Sequence, residues 1–388
     1  MEAIAYAVLA AALLLAAYTY AGYPLLLAAL RRPCPPTPAP AGWPRISITV
    51  PAYNEEREIG ATLDALLALD YPADRRQILV VSDASTDGTD RVVRGYEGRG
   101  VQLLRLPRRG GKTAAENAAV AHLTGEIVVN TDASVRIGPD SLKALVAAFA
   151  DPAVGLASGR DVSVARAAGA ANRSESGYVG YEMGVRALET RADGIVGASG
   201  CFYAIRAHLH RTPLRDELSR DFAAALVTRE HGFRAVSVDA AVCYVPRTPS
   251  LRREYRRKVR TIARGMGTLV HKRALLDPRR FGLFSWMLLS HKVCRWAIPW
   301  ALAAALVAVL VLAASEPWAR VAAGVALAGA ALAAAGAAWP EGRPVPRALE
   351  IPAYLALGNV AAMHAFLHLL AGDRTPTWEP TRRDAAPA

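Results

Sequence analysis

Glu126–Val135, EIVVNTDASV, is the stretch around which the chain is organised. Ile127-Val128-Val129 is a short apolar strand that runs out into Asn130, Thr131, Asp132 and Ser134. In an open α/β sheet ligands sit outside the carboxyl ends of the strands, so Asp132 stands where a nucleotide and its metal would be held. Taken alone, Asp-Ala-Ser after a strand is an ordinary turn or helix cap. Its neighbours upstream change that, because the same arrangement recurs.

Ile46, Ile48 and Val50 mark a strand that ends in Pro51-Ala52-Tyr53-Asn54-Glu55-Glu56, and Ile78–Val81 a second that ends in SDASTDGT, residues 82–89. A third strand is read at Val101–Leu106. Helical stretches fall between and after them, near Glu56–Leu69, Asp87–Glu97, Lys112–His122 and Pro139–Ala150. Such alternation predicts an α/β domain with a mainly parallel, Rossmann-like sheet and helices on both faces. Asp87 and Thr89 read as helix caps. Asp83 directly follows its strand, where a carboxylate can accept a hydrogen bond from a base or ribose. RRGGKT at 108–113 is not a P-loop, since position 106 is leucine rather than glycine. What survives is a basic loop whose Lys112 faces a phosphate, weighed against a plain exposed turn.

The composition adds a membrane. The chain has 388 residues, 53% of them hydrophobic, and a formal charge of +12; its mean hydropathy is +0.17. Ala3–Leu30 is an apolar run interrupted only by Pro24, and about 20 apolar residues suffice to cross a bilayer. No Lys or Arg precedes this run, which disfavours a signal peptide. Arg31 and Arg32 follow it, placing the N-terminus outside and the rest in the cytoplasm. Residues 31–44 are a proline-rich linker. Between Leu251 and Arg280 there are eleven Lys/Arg and two acids, a basic block suited to anionic headgroups or phosphates. Nucleic acid is the rival partner for such a charge, and the apolar spans argue against it. Cys34, Cys201, Cys243 and Cys294 lack metal or disulfide spacing and read as reduced thiols.

PAYNEE at 51–56, SDASTDGT at 82–89, GGKTAAEN at 110–117 and TDAS at 131–134 together resemble the membrane-bound family 2 glycosyltransferases of the GT-A fold, over roughly residues 45–245. The resemblance extends to polysaccharide synthases. It implies a nucleotide-diphosphate sugar donor, with a UDP-sugar as the leading expectation, and a divalent metal, Mg²⁺ or Mn²⁺. It places Ala52, Tyr53, Glu55, Asp83, Lys112 and Asp132 on the donor, with Asp83 at the base and Asp132 and Ser134 at the DxD-type metal site. Ser134 stands where a second acid is common, and Mg²⁺ tolerates this because it binds through one or two carboxylates plus substrate phosphates. Gly197–Arg206, GASGCFYAIR, looks like the family's acceptor segment, with Gly200 and Cys201 touching the acceptor. The family's base lies in an acidic pair; here the pair reads Arg220-Asp221, so Asp221 is the expected base.

Arg253, Arg256, Arg257, Arg260 and Arg264 recur at helical spacing and form one positive stripe. The family's processive Gln-x-x-Arg-Trp motif is reduced here to an arginine, and Arg260 is the member expected on the donor diphosphate. Phe281–Trp300 mixes tryptophans with His291, Lys292 and Arg295 and reads as interfacial. Ala297–Ala314, Trp318–Ala338 and Ile351–Leu370 read as spans, the last carrying Asn359, His364 and His368. The domains expected are thus 1–30, a transmembrane helix; 31–44, the linker; 45–250, the GT-A domain; 251–296, basic and interfacial helices; 297–371, transmembrane helices; and 372–388, a tail. The function expected is inverting transfer of a sugar to a cell-envelope or extracellular glycan, by a multi-pass protein of the bacterial cytoplasmic membrane with its catalytic domain facing the cytoplasm. The alternatives are addition of one sugar to a polyprenyl phosphate or other lipid, and a catalytically degenerate membrane scaffold for glycan export.

Overall fold

Strands β1 (Ile46–Ala52), β2 (Arg76–Ser82), β3 (Val101–Arg105) and β4 (Ile127–Thr131) pair in parallel in the order β3-β2-β1-β4. Every residue of β1 and β4 is buried, as a sheet covered on both faces requires. The computed structural model describes residues 1–33, 42–164, 170–246, 250–340, 343 and 345–372, and side chains in the helix Ala170–Ala192 from residue 179 onward. Most of the proline-rich linker, Cys34 and nearly all of the tail lie outside the described residues.

Beyond β4 the parallel pattern ends. With β5 at Arg136–Ile137, β6 at Val154–Val164, β7 at Phe202–Arg206 and β8 at Arg234–Pro246, the full order is β3-β2-β1-β4-β7-β6-β8-β5. β7 runs antiparallel to both β4 and β6, so the sheet is mixed. The register Thr131↔Phe202 sets the entrance of β7 against the exit of β4. That pairing brings Gly200 and Cys201 beside Asp132, although some seventy positions separate them in the chain.

Alternation within each strand builds two cores. Ile46, Ile48, Val50, Ile78, Val80, Ile127 and Val129 face the helices Ile59–Leu67 and Ser141–Ala147. Leu79, Val81, Val128, Tyr203 and Ile205 face Lys112–Ala119 and Arg220–Glu230. A third cluster joins this domain to the apolar helices, through Tyr23, Leu27, Val185, Phe222, Leu226, Leu269, Phe284 and Met287.

Among the described residues four helices are long and apolar enough to cross a membrane: Glu2–Leu30, Leu283–Leu312, Pro317–Ala337 and Arg347–Ala371. Pro24 does not break the first. A π-turn at Tyr18–Gly22 precedes it, Tyr23 N–H reaching Tyr18 O, and the helix widens there instead of stopping. A second π-turn at Leu289–Cys294 lies within Leu283–Leu312, which runs through residue 296 without a break. Arg347–Ala371 turns its polar residues toward the basic helix Leu251–His271: Tyr255 Oη and His364 Nδ1 are 3.0 Å apart, and Lys258 Nζ donates to Tyr354 Oη at 3.2 Å.

Candidate active site

The loops leaving β1 and β2 are sewn together. Asn54 takes a left-handed conformation, φ 53°, and its Oδ1 accepts the Thr86 N–H at 2.8 Å. Thr89 Oγ1 accepts the Glu55 N–H at 2.8 Å, and Asp87 accepts from both Thr89 and the Glu56 backbone. Asp87 stands one residue before the N-cap Gly88, accepts the first helical N–H at Thr89, and ties the two loops. Ala52 is buried at the end of β1 and accepts the Asp83 N–H, while Glu55 O receives the first N–H groups of the next helix. The Tyr53 ring carries the Arg109 guanidinium at 3.9 Å, a flat cationic ledge at the cleft.

Asp83, expected at the base, is 3% exposed and accepts the N–H groups of Gly110 and Gly111, each at 2.7 Å. It holds the loop that presents Lys112. Gly111 sits at φ 91°, and a Cβ on Gly110 would lie 2.7 Å from the Ala114 Cβ, so this tight turn requires both glycines.

Lys112 opens the next helix and is the hub of the site. Its ammonium donates to Asp132 Oδ1 at 2.5 Å and to Gly200 O at 2.8 Å. Burial alone would lower this ammonium; the carboxylates of Asp132, Glu116 and Asp221 outweigh burial and raise it above its ordinary value. Thr131 Oγ1 donates to Cys201 O at 3.0 Å, and Ser199 Oγ accepts the Cys201 N–H and donates to Asp161 Oδ1 at 2.6 Å. The 199–201 backbone is therefore pinned from several sides. Asp221 stands opposite, near the start of the helix Arg220–Glu230, and accepts from Ser219 Oγ at 2.5 Å.

Below this surface lies a buried charge cluster. Glu116, one turn after Lys112, is fully buried, and neither carboxylate oxygen has a hydrogen-bond partner among the described residues. Burial pushes its carboxyl above the ordinary range, with Lys112 and Arg220 opposing. Arg220, the basic member of the expected acidic pair, turns inward: it donates to Asn117 Oδ1 at 2.6 Å and His210 O at 2.8 Å, with its Nε 3.8 Å from Glu116. The missing acid at 220 is thus replaced by a cation that answers an acid at 116.

The arginine stripe does not act as one surface. Arg257 is bound by Glu254, and Arg264 reaches Thr113 Oγ1 at 2.8 Å and Leu218 O at 2.6 Å. Arg260, expected on the diphosphate, lines a cavity of about 350 Å³ with Arg215, Arg264, His271 and Leu369. Arg264 is the member bonded to Thr113, the residue after Lys112. Ser134, expected at the metal, is 6% exposed. Asp132, the other residue expected at the metal, has its Oδ1 held by the Lys112 ammonium. Among the described residues no group of three or more His, Cys, Asp or Glu could hold a metal. Asp132 by itself offers a divalent cation one carboxylate, a number that Mg²⁺ accepts when substrate phosphates and water complete its shell.

The structure thus unites Lys112, Asp132, Gly200, Cys201 and Asp221, and links Asp83 to them through the glycine turn. Glu116 and Asp161 were not foreseen. The i,i+4 spacing from Lys112 could have found Glu116; no local pattern marks Asp161.

Residues 47–211 match the family model described as "Glycosyl transferase family 2". A mannosyltransferase from Pyrobaculum calidifontis, solved in complex with GDP-Man and Mn²⁺, superposes with a TM-score of 0.73 at 26% identity, covering 94% of this chain and 99% of that one. A beta-monoglucosyldiacylglycerol synthase of Synechocystis sp. is 36% identical over 117 residues, 29% of this chain and 24% of that protein. An N-acetylglucosaminyltransferase of Rhizobium sp. is 31% identical over 138 residues, 32% of this chain and 30% of that protein. The alignments thus span about a quarter to a third of these curated relatives. With its mixed sheet and the Lys112–Asp132–Gly200 junction at the strand ends, the chain carries a family 2 glycosyl transferase domain of the GT-A fold.

Proposed function

We propose that this protein is a membrane-bound, inverting glycosyltransferase that takes a sugar from a nucleotide-diphosphate donor. The observation that carries it is the junction of Lys112, Asp132 and Gly200 O facing Asp221. The solved mannosyltransferase, similar over nearly the whole chain, supports a nucleotide-sugar donor and a divalent cation. Asp221 accepts the proton of the acceptor hydroxyl as the oxygen attacks the anomeric carbon, and the nucleoside diphosphate leaves from the opposite face. Lys112 and the Arg109–Tyr53 ledge meet the negative charge of the donor. Asp132 would hold a divalent cation, Mg²⁺ or Mn²⁺, which would supply Lewis-acid stabilisation of the leaving diphosphate. UDP- and GDP-sugars are both in scope. The apolar helices and the pair Arg31-Arg32 support a multi-pass protein of the bacterial cytoplasmic membrane with this domain inside.

The test is nucleotide release by the detergent-purified protein over a panel of UDP- and GDP-sugars with Mg²⁺ or Mn²⁺. Turnover of one donor that is lost in Asp132→Ala and Asp221→Asn supports the enzyme. Absence of both binding and turnover for every donor favours the degenerate scaffold.

A further inference from the structure

Where the N-terminal helix, the helix Ala170–Ala192 and the helix Leu283–Leu312 meet, the structure buries a second charged cluster. His291 is 2% exposed and lies between two carboxylates, with Nδ1 2.5 Å from Glu189 Oε1 and Nε2 2.9 Å from Glu182 Oε1. Glu189 also accepts from Tyr23 Oη at 2.6 Å, and Glu182 is bound by Arg295. The two acids are therefore engaged, and Arg186 and Lys292 bring a further pair of cations to the same cluster.

Lys292, next to His291, has no hydrogen-bond or ion-pair partner among the described residues; its ammonium lies 5.4 Å from the Phe222 ring centroid. A Cβ on Gly197 would sit 3.5 Å from Lys292 Nζ. The cation thus borders the Gly197–Cys201 segment on one side and the residue after Asp221 on the other. Arg186 is the second cation. It is 9% exposed, its Nε and Nη1 have no hydrogen-bond partner among the described residues, and its Nε pairs with Glu182 Oε1 at a long 3.8 Å. Glu182, Arg186, Arg295 and Glu189 all lie within electrostatic reach of Lys292. Arg186, Arg295 and Lys292 outnumber the two carboxylates by one, and an anion would balance the remaining buried charge.

The depth of the cluster narrows the anion. Tyr18, Tyr20, Tyr23, Tyr181, Trp286 and Trp296 gather at the same junction, and aromatic rings of this kind mark the membrane–water boundary. We propose that Lys292 and Arg186 bind the phosphate of a lipid acceptor, which reaches Asp221 and the Gly197–Cys201 segment from the membrane side. This rests on the transferase reading above and specifies its acceptor class: an apolar chain lying along the helices with a phosphate head at Lys292.

The experiment measures binding of farnesyl phosphate, farnesol and inorganic phosphate to the full chain in neutral detergent, with nucleotide diphosphate binding followed separately. Farnesyl phosphate is expected to bind best, Lys292→Gln to weaken it about tenfold or more, as loss of a charged hydrogen bond does, and Lys292→Arg to retain it. Arg186→Gln is expected to act in the same direction. Unchanged nucleotide binding in these variants shows that they fold and that the donor site is separate. Equal binding of farnesyl phosphate by parent and Lys292→Gln overturns the proposal, as does equal binding of farnesol. Inorganic phosphate binding as tightly as farnesyl phosphate would identify a free-anion site and overturn the lipid assignment. Nucleotide binding without any farnesyl phosphate binding would sink the acceptor class while leaving the transferase reading intact.

Discussion

Gly200 and Asp221 are packed so closely that a Cβ on Gly200 would stand 2.6 Å from Asp221 Oδ2. The glycine therefore sets where the proposed base stands, and its carbonyl at the same time holds Lys112. Gly200→Ala must push the carboxylate aside. Misplacement of a catalytic group by about 1 Å can cost about 100-fold in rate. The expected result is a kcat lower by about that factor with nucleotide affinity unchanged; a kcat within twofold of the parent would show that Asp221 is not the base or is free to move.

Asp132 offers a metal one carboxylate, and Lys112 already engages one of its oxygens. A cation then needs donor phosphates to complete its shell. Titration calorimetry with Mn²⁺ is expected to show weak binding to the protein alone and clearly tighter binding once nucleotide diphosphate is present. Chelation should abolish turnover, and added metal should restore it. Tight metal binding without nucleotide would mean that ligands other than Asp132 hold it.

Glu116 lies buried under the site with its carboxyl pushed above the ordinary range, first by burial and then by Asp221 and Asp132. A carboxyl raised in the folded state contributes stability below its unfolded pKa of about 4.3, and that contribution is lost as pH rises through the folded value. Glu116→Gln keeps the shape and cannot ionise. Its melting temperature is expected to gain on the parent progressively from pH 4.5 upward. A gap that is constant with pH would show that Glu116 titrates alike in the folded and unfolded chain, against a raised carboxyl.

His291 ties the apolar helix Leu283–Leu312 to the helix Ala170–Ala192 through Glu182 and Glu189. Burial would raise the Glu182 carboxyl, yet His291 and Arg295 outweigh it and hold the group well below the usual carboxylate range. A lowered carboxyl contributes stability above its unfolded pKa that is lost as pH falls through the folded value, so acidification below about pH 4 should loosen this junction. His291→Ala leaves two buried carboxylates short of a partner, a loss of about 3–5 kcal/mol for such pairs. Thermal unfolding in detergent should fall sharply, and a mild shift would show that water reaches the junction.

Much of the catalytic half was legible in the linear order of residues. Apolar runs at Ile46–Val50, Ile78–Val81 and Ile127–Val129 alternate with amphipathic stretches, and short-range patterning of this kind dictates a parallel sheet because each strand and its helix are neighbours in the chain. Length and hydropathy likewise marked the helices able to span a membrane, and local chemistry placed Asp132 and Lys112 at strand and helix ends. Where a side chain finally points depends on partners far away in sequence. The antiparallel register Thr131↔Phe202 set Gly200 beside Asp132, the arginine at 220 turned inward to Glu116, and Arg264 came to bond Thr113, the residue after Lys112. Lys292 became a candidate ligand group only when three helices closed around it and Glu182 and Glu189 were taken by others. Patterning along the chain determines which elements form, because it acts within a few residues; pairing between distant elements decides which charges meet, because electrostatics acts through space.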